Sequence, residues 1–223
     1  DNLAERQILN IGGTFGDVMQ IHTAATGSGG DAETAHMIYN GLVELPYCPD
    51  AMSRLEVRPA LATHWEVSED NRTWTFYLRE GVQFHHGYGE FTAEDVVFTY
   101  SVLNVKSDWI RDIDAYLDIV EVKAVDKYIV EITTEDPDPF FLRRVSDFSG
   151  GRITSKKAYE DLGFEGIKSH PIGTGAFQFV EYEPYSHILL ERNENYFRGE
   201  PILENVKIHL MDLPSAELAL RAG

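Results

Sequence analysis

Cysteine is almost absent. Cys48 is the only one in 223 residues, so no internal disulfide can form and pairing says nothing of the redox compartment. Set between Tyr47 and Pro49 with no histidine beside it, Cys48 reads as a small, partly buried side chain and not as a nucleophile. Basic residues are also scarce. Lys and Arg total 19 against 37 Asp and Glu, a formal net charge of -18, and a field of that sign argues against nucleic acid as a partner. The acidity reads as solubilising surface charge before it reads as recognition of a cation. No apolar run approaches the roughly 20 residues that cross a bilayer, and the residues after Asp1 lack the basic and then apolar layout of a signal peptide. Also missing are the HExxH and CxxC spacings, a G-x-S-x-G elbow, and a Gly-Lys-Ser/Thr ending to any glycine loop. Carboxylates such as Asp136 and Asp138 fall in loops with no sign of pairing for acid–base work. The chain therefore reads as a non-enzyme that uses no metal and no cofactor.

Forty-three per cent hydrophobic and 25% charged residues are enough for an ordinary buried core. Ile8 to Gly12 reads as a strand, followed by a polar, glycine-rich stretch to Gly30. A helix then starts with Asp31 as its cap, and Ala35, Ile38, Tyr39 and Leu42 form its apolar stripe. Pro46 to Pro59 reads as a surface loop. His64 to Ser68 and Thr73 to Arg79 form a hairpin around Asp70-Asn71-Arg72, in which Trp74, Phe76 and Leu78 alternate with Thr75, Tyr77 and Arg79. Thr92 opens a helix with Asp95 three residues on, a capping box, and Val96, Tyr100 and Leu103 follow at helical spacing. Tyr77, Phe98 and Tyr100 read as core aromatics. A second hairpin joins Asp118–Val125 to Tyr128–Thr133, with Val120, Val122 and Ala124 on one face. Phe140 to Val145 reads as a helical turn and Ser155 to Leu162 as a short helix. Gly175–Tyr182 and His187–Arg192 make a third hairpin, Val206 to Met211 a strand, and a helical pattern begins at Pro214. Hairpins mixed with helices, without regular β-α-β alternation, predict an α/β domain of mixed α+β character.

The order of elements from Leu61 to Phe98, LATHWEVSEDNRTWTFYLREGVQFHHGYGEFTAEDVVF, resembles the family 5 extracellular solute-binding proteins. A second match is PIGTGAFQF from Pro171 to Phe179, continuing through LERNENYFRGEP from Leu190 to Pro201. These proteins feed peptide, nickel and related ABC importers. The resemblance implies a type II periplasmic-binding-protein-like fold of mixed sheets with hairpins. Residues 1–223 would be the amino-terminal portion of a two-lobed receptor, a main lobe with an inserted subdomain at roughly 45–170. The first lobe is then incomplete, and the second lobe lies beyond the point corresponding to Gly223. It further implies a periplasmic or extracellular receptor, monomeric when full length, with a removed leader that is one route to membrane anchoring. Such a receptor captures a small solute between its lobes and hands it to an ABC permease. Peptide is the default solute, with nickel chelates, opines and oligosaccharides as competitors. A ligand-sensing module of a regulator, or a metal-dependent hydrolase using His85 or His86, are the alternative readings.

The same resemblance carries a ligand site onto this chain. Thr26, Gly27, Ser28 and Ala32 are expected to line the cleft between the first strand and the first helix. Trp109, Arg111 and Arg152 would stack on the ligand and fork onto its carboxylate, with Trp109 and Arg152 facing solvent in the open form. Thr174 would add a hydroxyl from the tight turn Gly173-Thr174-Gly175, near the crossing between lobes. His85 and His86 are adjacent, which suits a structural turn better than chelation of one ion. On that reading neither histidine matters to ligand affinity.

Overall fold

The computed structural model describes residues 8–13, 29–45, 56–103, 118–147 and 151–211, together with Pro214, Glu217, Leu218 and Arg221. In chain order its elements are β1 (Ile8–Gly13), α1 (Gly29–Ile38), β2 (Val43–Glu44), β3 (Arg58–Pro59), β4 (Ala62–Val67), β5 (Thr73–Leu78) and α2 (Ala93–Phe98). Then come β6 (Ile119–Asp126), β7 (Ile129–Thr134), α3 (Phe141–Arg144), α4 (Lys156–Ser169), β8 (Phe177–Glu183), β9 (His187–Arg192) and β10 (Asn205–Leu210).

Alternation builds the first sheet, an antiparallel array in the order β4-β5-β7-β6. Trp74, Phe76 and Leu78 of β5 and Val130 and Ile132 of β7 share one buried face, and Phe141 of α3 stacks on Trp74 at 5.2 Å. Ala93, Val96 and Phe98 bring α2 into the same core. Complete burial of one such side chain contributes about 1.5–3 kcal/mol. The period that buries Phe76 turns Tyr77 the other way. Tyr77 is thus not a core aromatic but stacks on His64 at 4.2 Å and donates its hydroxyl to Glu66 on the outer face. Val120 also departs from the expected inner face and is 58% exposed. The register shifts between Ile119 and Glu121, and such a bulge sends the extra residue outward.

The second sheet runs β1-β10-β9-β8, with β1 parallel to β10 and the remaining pairs antiparallel. Ala35, Ile38 and Tyr39 from α1 and its end pack onto Phe179, Ile188, Leu190, Val206 and Ile208, a core separate from the first. α1 begins at Gly29, so Asp31 lies inside its first turn and does not cap it. Part of the expected loop at 46–59 is ordered into pairing: Arg58 and Pro59 lie against Glu44 and Val43. α4 is capped by Ser155, whose Oγ accepts the Ala158 N–H at 3.1 Å. It runs past the expected end at Leu162 because Gly163, at φ 69° and ψ 178°, absorbs a kink and lets the helix resume.

Two carboxylates fasten the first sheet to its helices and turns. Asp95 accepts the Thr92 N–H at 2.9 Å, the Thr92 hydroxyl at 3.2 Å and the Lys156 N–H at 3.0 Å, joining the starts of α2 and α4. Burial raises its pKa while those bonds oppose the rise. Glu90 accepts from Gly81 N–H, Lys127 Nζ and Tyr128 Oη at 2.8, 2.8 and 2.7 Å, and these donors, Lys127 first, hold its pKa down to about 2. A depressed carboxyl contributes stability above its unfolded pKa of 4.5 and loses it as pH falls toward 2. In urea denaturation, Glu90→Gln is expected to lie below the wild type by a gap that is widest near neutral pH and narrows steadily through that acid window.

Candidate functional site

The end of α1 is where the two cores meet. The last carbonyls of a helix need donors, and here they are supplied from the turn between α4 and β8. Gly175 N–H donates to the Ile38 carbonyl at 2.7 Å. A Cβ at Gly173 would stand 2.0 Å from the Ile38 carbonyl oxygen, and one at Gly175 would stand 2.2 Å from that of Met37, so only glycine permits this approach. Thr174 between them is 1% exposed and donates its hydroxyl to Asn40 Oδ1 at 3.1 Å. Tyr196 also hydrogen-bonds Asn40. Asn40 in turn accepts the Ile153 N–H on its backbone carbonyl at 2.9 Å.

Arg152 enters from the neighbouring segment, which bridges to Gly41. The side chain is 1% exposed, so the expectation that it faces solvent is corrected. At the adjacent Gly151 the backbone lies so close to Val145 that a Cβ would stand 2.2 Å from its carbonyl oxygen. Arg152 Nη2 lies 3.1 Å from His36 Nε2. Arginine only donates, so Nε2 accepts and the ring proton sits on Nδ1, which faces Asp147 Oδ2 at 3.4 Å. The result is an Asp147–His36–Arg152 chain, half-buried at His36 and Asp147 and fully buried at Arg152, beside the negative end of α1, a favourable place for a cation.

His85 and His86 form a short helical turn with Gly87. His85 N–H donates to the Gly173 carbonyl at 2.9 Å, and its ring reaches Gly175 O at 3.0 Å and Gly173 N–H at 3.4 Å. Burial pushes its pKa down to about 4. His86, at φ 54°, donates from Nε2 to the Phe179 carbonyl at 3.1 Å. The two rings grip separate stretches of backbone, and among the described residues no group of three or more His, Cys, Asp and Glu is placed to hold a metal ion. Phe197 completes the junction between the guanidiniums of Arg79 and Arg198, at 5.1 and 5.3 Å. Arg198 also donates to Glu44 at 2.7 Å and to the Pro59 carbonyl at 3.0 Å.

Of the residues singled out from sequence, Arg152 and Thr174 are brought to this one junction. The backbone of Ala32 lies in α1, one turn before His36. Thr26, Gly27, Ser28, Trp109 and Arg111 fall outside the described residues. His36, Asn40 and Asp147 were missed, because nothing local marks a residue whose partner lies more than 100 positions away. Asn193 and Phe197 did sit inside the matched words, and Asn193 Nδ2 donates to the Gly175 carbonyl at 3.0 Å.

The PIGTG and NYFRG words thus hold together one fixed joint between two cores, and residues 56–223, well over half of the chain, match the model of the bacterial extracellular solute-binding proteins, family 5. The chain belongs to this family. It is 32% identical over 191 residues to the dipeptide-binding protein of Escherichia coli, covering 76% of this chain and 34% of that protein. To heme-binding protein A of Haemophilus influenzae it is 29% identical over 212 residues, covering 85% and 38%. The MoaA binding protein of A. tumefaciens R10 in complex with mannopinic acid superposes with a TM-score of 0.87 at 32% identity, over 98% of this chain and 44% of that one. Helicobacter pylori DppA in complex with the peptide STSA gives 0.84 at 28% identity, over 97% and 45%. The mixed α/β fold of these relatives is therefore that of this chain, which spans less than half of their length.

Because Arg152 is buried and donates to the His36 ring, Arg152→Ala is expected to destabilise the protein by about 1–3 kcal/mol. A double-mutant cycle with His36→Ala should return a coupling above about 0.5 kcal/mol. Gly173→Ala, which drives a methyl into backbone, should cost about 2 kcal/mol or more in the same denaturation assay.

Proposed function

We propose that this chain belongs to the substrate-binding component of an ABC importer, a receptor that captures a peptide outside the cytoplasmic membrane and delivers it to the permease. The observation that carries the reading is family membership together with kinship to a dipeptide-binding protein and to a peptide-bound structure. No bond is broken in this role. The solute works by binding the closed form of the receptor better than the open form, since it shifts that equilibrium only by its differential affinity. Thr26, Gly27, Ser28, Ala32, Trp109 and Arg111 are assigned to the solute-facing wall. Arg152 and Thr174 stand behind it, at the end of α1, where they set the position of that helix. Residues at roughly 45–170 form a subdomain inserted into the main lobe, an arrangement supported by the separate cores of the two sheets. The receptor acts in the periplasm or outside the cell, as a monomer and without nucleic acid.

An opine is the second reading, favoured by the mannopinic acid complex of MoaA. Calorimetric titration of the full-length receptor with the tetrapeptide Ser-Thr-Ser-Ala and with mannopinic acid separates the two. Saturable binding of the peptide is the expected result; heat from mannopinic acid alone moves the assignment to opines, and no heat from either sinks both. Arg111→Ala is expected to weaken peptide binding by about 1.5–3 kcal/mol, the worth of one charge-assisted contact. An unchanged dissociation constant would take Arg111 off the wall.

A further inference from the structure

His85 ties together two stretches that are 88 to 90 residues apart in sequence. Its side chain is buried, and its two nitrogens work in opposite senses. Nε2 must donate, because the Gly175 carbonyl 3.0 Å away can only accept. Nδ1 must accept, because the Gly173 N–H faces it at a longer 3.4 Å. Only the neutral ring offers both; the imidazolium has two donors and no acceptor. The turn held in this way is the one pressed against α1, and it carries Thr174.

Burial outweighs the charged surroundings of the ring, and the one charge effect on it, from His86, also opposes the imidazolium. His85 borders a cavity of about 450 Å³ whose charged lining is Glu191, Arg192, Glu194 and Glu204. Glu191 is engaged by Gln178 at 2.8 Å, and Arg192 stands 3.9 Å from Glu194. Gly173, Gly175 and Asn193 bring no charge, and the His86 ring lies 6.3 Å away between centroids.

We infer that His85 is a positioning residue, a neutral-ring clamp on the Gly173–Gly175 turn that gives up the Gly173 N–H, and with it one of its two holds on the turn, when the ring takes up a proton. Its bearing on solute capture rests on the placement of Thr174 behind the cleft wall. Burial holds the ring near 4 against an ordinary 6.5. A depressed imidazole contributes fully above 6.5, and that contribution is lost as pH falls through about 4. His86 makes a single donor bond and keeps the expectation that both histidines first carried, of no effect on affinity.

Amide hydrogen exchange at Gly173, Thr174 and Gly175, read as protection factors from neutral pH into the acid window, tests the clamp without any ligand. Wild-type protection is expected to fall by more than about tenfold as the ring charges. His85→Gln, which retains an amide donor for the Gly175 carbonyl but has no titratable ring, should be flat over the same range. His86→Gln should follow the wild type. Flat wild-type protection, or an equal fall in His85→Gln, overturns the proposal. Should His85→Gln fail to fold, the proton titration of the wild-type His85 ring by NMR decides, and a midpoint near the ordinary value of about 6.5 overturns it. Titration with Ser-Thr-Ser-Ala at neutral and acid pH runs beside the exchange. A turn that loosens while peptide affinity holds leaves the clamp standing and removes Thr174 from the cleft, so the two readings fail separately.

Discussion

The contact between the Gly173-Thr174-Gly175 turn and the end of α1 is the constraint on which the rest of the molecule depends. Two missing Cβ atoms allow backbone to meet backbone, and the hydrogen bond from Gly175 to the Ile38 carbonyl then closes the helix end. Everything else at the junction follows from that closeness. Thr174 reaches Asn40, and both Asn193, just after β9, and His85 donate to the Gly175 carbonyl. A single peptide group thereby serves as the common acceptor for both halves of the structure. Its burial makes the arrangement hard to lose piecemeal, because each deserted polar group would stay dry and unpaired.

Charge plays two different parts. On the surface, pairs such as Lys156–Glu94 lie in water and contribute little. At the junction, Arg152 is buried against the half-buried His36 and Asp147, and a desolvated guanidinium is tolerable only with partners in place. That cost buys a defined geometry at the C-terminal end of α1. The Arg79–Phe197–Arg198 stack does similar work on the other flank, pinning the segment after β9 to the β2–β3 ribbon.

In the proposed role, a receptor that closes around its solute needs stiff walls as well as a moving hinge. Among the described residues the two cores are joined by direct hydrogen bonds such as Gly175 N–H to the Ile38 carbonyl, and packed groups held in this way transmit position with few degrees of freedom. Residues that touch a solute can then be few, provided that those behind them do not give way.

Local features of the fold were legible in the sequence because their causes are local. Alternation at Trp74, Phe76 and Leu78, the Thr92–Asp95 box and the turn at Asp126-Lys127 each draw on neighbours within a few positions. The misreadings have causes outside that range. Val120 leaves its face because the pairing with β7 slips, Arg58 and Pro59 order because β2 lies beside them, and α4 outruns Leu162 because Gly163 can take a positive φ. The candidate site divides in the same way. Its words, FHHG, PIGTG and NYFRG, could be picked out by sequence alone, and so could the family. Which way Arg152 points, and what the ring of His85 holds, were decided only by tertiary structure, since their partners lie 116 and 90 residues away and no local pattern specifies a contact at that separation.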